Sequence, residues 1–217
     1  MKNNKKAALQ KKNNTRKIVG LVGAILVIVA AVAIIIFGVS GGKEDKKMAV
    51  EENVKVLVEM ENGESFTLEL YPEYAPQTVQ NFVDLVTDGF YDGVGFHRVV
   101  DGFMAQGGDP EGTGMGGSGV TIPGEFAANG FAQNTLSHTR GVISMARSQD
   151  PDSASSQFFI CYDDASFLDG QYAAFGKVID GMETVDGFLD VERTFNSMGE
   201  EASPLEPITM KSVTIVE

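Results

Sequence analysis

Phe96-His97-Arg98-Val99-Val100-Asp101-Gly102-Phe103-Met104-Ala105-Gln106-Gly107-Gly108-Asp109 sets one cation, Arg98, and one amide, Gln106, among large apolar side chains and ends in a glycine turn. Residues 94–100 and 103–106 read as two short strands separated by Asp101-Gly102. An arginine flanked by Phe, Val and Met is expensive to bury unless something uses its fork of donors. The segment therefore reads as the wall of a site, with Arg98 aimed into an apolar pocket.

The neighbouring segments read as a mainly β domain. Residues 53–60 and 64–70 alternate as strands around Glu61-Asn62-Gly63-Glu64, and Asn-Gly is a strong hairpin signal. Between Pro76 and Gly89, Val79, Phe82, Val83 and Val86 recur at helical spacing, which predicts an amphipathic helix over 77–88. Residues 107–124 read as a glycine-rich, mobile surface loop. Further strands are predicted at 141–146, 157–162, 173–178 and 208–216, with a short second helix over 182–189. Many short strands, turn signals and one or two helices favour a closed antiparallel barrel.

The N-terminal part has a different character. Residues 18–39 carry no charged or polar side chain, and a helix of that length spans roughly 33 Å, near the thickness of a bilayer's hydrocarbon core. The run is longer than a secretory signal's apolar region, so an uncleaved signal-anchor is favoured. Seven cations precede it, while Lys43, Lys46 and Lys47 after it are offset by Glu44 and Asp45. The positive-inside bias then puts the N-terminus in the cytoplasm and the folded domain outside the cell membrane, in a single-pass arrangement. The predicted organisation is a basic cytoplasmic tail (1–17), a transmembrane signal-anchor (18–39), a linker (40–52) and a folded domain (53–217).

The formal charge of −13 conceals an asymmetry: from Met48 onward seven cations face 28 acids, a net charge of −21. Such a domain repels nucleic acid at long range, and a nucleic-acid partner is not expected. Cys161 is the only cysteine, so no intrachain disulfide forms, and within Phe158-Phe159-Ile160-Cys161-Tyr162 it reads as a small buried hydrophobe. Gly112-Thr113-Gly114-Met115-Gly116-Gly117 satisfies G-x-G-x-x-G, but Asp-Pro-Glu precedes it and no helix pattern follows, so a dinucleotide site is rejected. His97 and His138 are the only histidines. Neither has metal-ligand spacing or an evident nucleophile, and both read as structural or hydrogen-bonded at the rim. No metal or cofactor is expected.

Four segments occur in order: 96–109, Ser144-Met145-Ala146-Arg147, Ser155-Ser156-Gln157-Phe158-Phe159-Ile160, and Phe167-Leu168-Asp169-Gly170-Gln171-Tyr172-Ala173-Ala174-Phe175-Gly176-Lys177-Val178. Together with Ala75-Pro76-Gln77-Thr78-Val79-Gln80-Asn81-Phe82, they resemble the cyclophilin family of peptidyl-prolyl cis-trans isomerases, in its bacterial form, over about 53–217. The resemblance implies a closed eight-stranded antiparallel β-barrel capped by two helices, here preceded by the transmembrane helix. It implies a shallow pocket on the barrel's outside in which Phe103, Met104, Phe159 and Leu168 receive a proline ring. Arg98 and Gln106 would face the prolyl amide, backbone groups at Ala146 and Arg147 would pair with the peptide, and Gln157 would line the same groove. Phe167 stands where many eukaryotic members have Trp, Tyr172 where they have His, and Arg147 where they have Asn. The missing indole donor predicts weak cyclosporin binding.

The function so implied is rotation about X-Pro bonds, with Arg98, Gln106 and Phe103 as catalytic residues. Proline-containing segments of unfolded or exported proteins are the expected substrates, and assistance to their folding the expected role. The alternative from another class is a cyclophilin-like module that binds proline segments without significant turnover. A retained Arg98 favours the enzyme.

Overall fold

Period-two burial builds the first hairpin of the computed structural model, which describes residues 49–217. In β1 (Val54–Met60) Val56, Val58 and Met60 are buried, and in β2 (Ser65–Leu70) Phe66, Leu68 and Leu70 are. Each pleated strand thus turns one face to the core. Gly63 closes the turn at φ 88°, a conformation that costs glycine nothing sterically, and its N–H donates to the Met60 carbonyl at 3.0 Å.

The first helix, α1 (Pro76–Thr87), opens on a proline, tolerated there because a first-turn N–H has no intrahelical partner. Thr78, Val79, Phe82 and Val86 form its buried stripe. Its free amides are met from a distant loop. The Glu125 carboxylate accepts from the N–H groups of Gln77 at 3.0 Å and Thr78 at 2.8 Å, and from the Thr78 hydroxyl at 2.7 Å. An anion there also meets the positive end of the helix dipole.

The remaining elements are β3 (Gly95–Val100), β4 (Met104–Asp109), β5 (Val142–Met145), β6 (Phe158–Cys161), β7 (Ala174–Asp180), α2 (Met182–Asp186), β8 (Arg193–Phe195), β9 (Glu201–Pro204) and β10 (Ile208–Val216). Eight strands close a barrel in the order β1-β10-β3-β4-β6-β5-β7-β2, with every pairing antiparallel. Closure removes the unpaired edges that an open sheet would expose. The mainly β, eight-stranded barrel with two helices is the architecture expected from the sequence. Inside it Phe82, Tyr91, Phe96, Phe158 and Phe175 interlock, with ring centroids 5.0–5.7 Å apart.

Two expectations need correction. β4 runs on through Gly107 and Gly108 to Asp109, over residues that the sequence pattern assigns to a loop. The hairpin of β8 and β9, a separate two-stranded sheet, has no counterpart in the sequence reading. The predicted tail, the predicted transmembrane span and most of the predicted linker lie outside the described residues. Among the described residues no helix is long and apolar enough to cross a membrane.

Candidate active site

Side-chain alternation gives β4 and β6 a second apolar face. Ala105, Phe158 and Ile160 join the barrel core, whereas Met104, Phe159 and Cys161 form a separate cluster with Ala165. Val100, Phe103, Ala146, Leu168 and Tyr172 pack against that cluster. This second cluster is buried, and with the partly covered Phe103, Ala146, Leu168 and Tyr172 it floors a cavity outside the barrel core.

Arg98 reaches this face through an irregularity in β3. The pairing runs Phe96↔Gly107 and then Arg98↔Gln106, which leaves His97 as the extra residue of a bulge. In a regular strand Phe96 and Arg98, two apart, would share a face. The bulge lets Phe96 pack inside, 5.7 Å from the Phe158 ring, while Arg98 lines the outer cavity. The His97 ring nitrogens are buried with no hydrogen-bond partner among the described residues, and burial lowers the pKa of that imidazole.

The cavity has a volume of about 280 Å³ and is lined by Arg98, Phe103, Met104, Gln106, Ala146, Arg147, Phe159, Leu168 and Tyr172. Nine of the eleven residues singled out from the sequence therefore meet here. Phe167 does not line it; at 64% exposure it stands at the rim, its ring 5.7 Å from that of Phe103. Gln157 lines an adjoining cavity of about 290 Å³ with Gly114, Met115, Gly116, Ser148, Ser153 and Ser155. Gln106, Ala146 and Arg147 border both.

Hydrogen bonds tie the two cavities together. Arg98 Nη1 donates to Gln106 Oε1 at 3.3 Å, Gln106 Nε2 to Gln157 Oε1 at 2.9 Å, and Gln157 Nε2 to the Gly116 carbonyl at 2.8 Å. The Arg147 guanidinium lies 4.6 Å from the Tyr172 ring and 5.1 Å from that of Phe126, and donates to the carbonyls of Gln171 and Ser148. Its side chain is thus a strut between two rings. The Ala146 N–H already donates to the Gln157 carbonyl at 3.0 Å. Of the backbone groups assigned to a bound peptide, that donor is engaged within the domain.

Beyond β4 the glycine loop lies at the surface beside the site, as expected, and its first part is gathered around Asp109, whose carboxylate accepts from the N–H groups of Glu111, Thr113, Gly114 and Gly116 at 2.7–3.2 Å. Burial raises the Asp109 pKa, but these donors outweigh it and hold the carboxyl below its ordinary value.

His138 is an interior residue rather than a rim one. Its Nδ1 lies 2.8 Å from Asp169 Oδ1 and its Nε2 3.0 Å from Ser144 Oγ. This is the connectivity of a hydrolytic triad, which spacing along the chain does not reveal. Ser144 and His138 are both fully buried, so no substrate carbonyl reaches the hydroxyl. The imidazole stacks 6.0 Å from the Phe159 ring, which makes the trio a support beneath the cavity floor. Cys161 is fully buried, and burial pushes its thiol up to about 12. Among the described residues no group of three His, Cys, Asp or Glu side chains is placed to hold a metal ion.

The family model described as cyclophilin type peptidyl-prolyl cis-trans isomerase/CLD matches residues 55–215. The chain belongs to the cyclophilin family. Peptidyl-prolyl cis-trans isomerase B of Bacillus subtilis is 47% identical to this cyclophilin over 124 residues, which are 57% of this chain and 82% of that one. The peptidyl-prolyl cis-trans isomerase-like 3 of Rattus norvegicus is 40% identical over 151 residues, 68% of this chain and 88% of its own. A solved cyclophilin-type isomerase from Cryptosporidium parvum superposes with a TM-score of 0.66 at 31% identity, covering 76% of this chain and 99% of its own. A second structure of that protein, in the presence of the dipeptide Ala-Pro, gives 0.65 at 33% identity. This cyclophilin is a peptidyl-prolyl cis-trans isomerase.

Proposed function

We propose that Arg98 is the catalytic donor of this isomerase, that the proline ring of the substrate sits on Phe103, Met104, Phe159 and Leu168, and that the enzyme acts on exported proteins from a membrane tether. The observation that carries the catalytic reading is the bulge-directed Arg98, half-buried beside a cavity of about 280 Å³ whose floor is apolar.

Rotation about a peptide C–N bond faces a barrier of about 18–20 kcal/mol set by amide resonance. X-Pro bonds populate both isomers but exchange them over tens to hundreds of seconds. No bond is made or broken, so neither a nucleophile nor a metal is called for. As the bond twists, the prolyl nitrogen regains a lone pair. A guanidinium donor beside that nitrogen binds the twisted form more strongly than the planar one, which is the condition for acceleration. The apolar floor holds the ring and displaces water, Gln106 faces the flanking carbonyl, and the backbone at Ala146 and Arg147 holds the peptide in register. A charge-assisted hydrogen bond contributes about 1.5–3 kcal/mol, or one to two powers of ten at about 1.4 kcal/mol per decade. Orientation and desolvation in the cavity supply the rest.

The tether rests on residues 18–39 and on the cations before them. It places the domain outside the cytoplasmic membrane, where newly exported chains with slow X-Pro bonds are the available substrates. Proline-containing peptide segments are the ligands this reading requires. The deciding experiment follows cis-to-trans conversion of a short X-Pro peptide in the presence of the purified chain. Catalysed exchange is expected, and peptide binding without faster exchange would overturn the catalytic role.

A further inference from the structure

Arg98 is not free in its cavity. Its Nε donates to Glu200 Oε2 at 2.6 Å and its Nη2 to Glu200 Oε1 at 2.8 Å, a side-on pairing of the two planar groups. Nη1 is the one guanidinium nitrogen not bonded to Glu200, and it lies 3.3 Å from Gln106 Oε1 and 3.9 Å from Met104 Sδ. Glu200 lies in the turn between β8 and β9, 102 residues along the chain from Arg98.

That turn is built to present the carboxylate. Asn196 Oδ1 accepts from the N–H groups of Met198 and Glu200, both at 3.0 Å, and the Asn196 N–H donates to the Glu200 carbonyl at 2.8 Å. Asn196 Nδ2 adds a 3.2 Å hydrogen bond to Glu200 Oε2. The strand that follows, β9, lies against β3, which carries Arg98. The carboxylate is therefore fixed in its backbone and in its side chain before it meets the guanidinium. Hydrogen bonding to Arg98 holds the Glu200 carboxyl below its ordinary value, so it is ionised at neutral pH.

We infer that Glu200 is a positioning residue of this isomerase, gripping Arg98 by Nε and Nη2 so that Nη1 is the one donor presented to the twisting prolyl nitrogen. The inference rests on the catalytic role proposed for Arg98. A long side chain with several rotamers otherwise spreads its donors over many directions, and a misplaced donor forfeits the advantage of proximity. The β8–β9 hairpin, which is no part of the barrel, thereby serves the site by carrying the clamp.

The test compares wild type, Glu200→Gln, Arg98→Ala and the double variant in the full chain, with kcat and KM resolved on one X-Pro peptide. Glu201→Gln, at the exposed neighbouring carboxylate, controls for charge alone. Glu200→Gln is expected to lower kcat on the order of tenfold with KM within about twofold and an unchanged melting temperature, because substrate seating on the floor is untouched. In the Arg98→Ala background the same change is expected to have no further effect, since its whole action passes through that arginine. An unchanged or raised kcat in Glu200→Gln overturns the inference. So does a loss that adds in full to that of Arg98→Ala, or one that merely tracks unfolding. The failure of the underlying reading is distinguishable, because it shows as absent turnover in wild type or as full turnover in Arg98→Ala.

Discussion

At the scale of single residues, the proposed chemistry rests on Arg98. Arg98→Ala removes the donor and also leaves Glu200 without its cation, so kcat/KM for an X-Pro peptide is expected to fall by about 10²–10³ with the fold intact. Near-wild-type turnover of that variant would end the role assigned to the arginine. The two histidines make a separate prediction through pH. Burial lowers the pKa of His138, with Asp169 pulling partly back, and burial likewise lowers that of His97. Folded pKa values below the unfolded one mean that the unfolded chain binds the extra protons. The stability these groups contribute is therefore complete above the unfolded histidine value of about 6.5 and is lost as pH falls through the folded values. Urea midpoints are expected to drop between about pH 8 and about pH 5.5, and a His138→Asn variant should show a shallower drop. A flat profile over that range would show that neither imidazole resists protonation.

At the scale of elements, the loop after β4 is held by one carboxylate. Asp109→Ala leaves four backbone donors without their acceptor, and because the residues that carry them are exposed or half-buried, water takes over part of each loss. Faster amide exchange over residues 111–116 and a raised KM are the expected readouts, because Gln157 reaches the cavity from the Gly116 carbonyl. Gly116→Ala should act in the same way, since a Cβ there would collide with Asp109 Oδ1. Normal exchange in both variants would mean that the loop keeps its form without the carboxylate. Much at this scale is legible in the sequence. The first hairpin and α1 announce themselves by periodicity, and nine cavity residues through the resemblance to the cyclophilin family. What escapes is set by partners remote in sequence. The His97 bulge depends on register with β4, and the Asp109 cradle is made by backbone donors that no side-chain pattern marks. β8 and β9 are short, with Thr194, Phe195 and Glu201 all exposed, so no alternation marks them. Separation along the chain likewise hides Glu200 from Arg98, by 102 residues, and Asp169 from His138, by 31.

At the scale of the whole molecule, the proposed tether is open to a direct test. In full-length chain expressed in its membrane, trypsin added from outside is expected to cut at Lys43, Lys46 or Lys47 and release a fragment of the domain's mass. Release only after the cells are broken would place the domain on the other side. Barrel closure carries a further consequence, for the enzyme's own synthesis. β1 pairs with β10 along its length, from Lys55↔Val216 to Met60↔Met210, and β10 also bridges to β3. The first strand made thus waits for the last, and such non-local pairing makes folding slow. A ribosome-bound chain that still lacks β10 has no closed barrel, and its β1 and β3 edges stay open to other strands. The enzyme's own barrel therefore stays open until its last strand has been made.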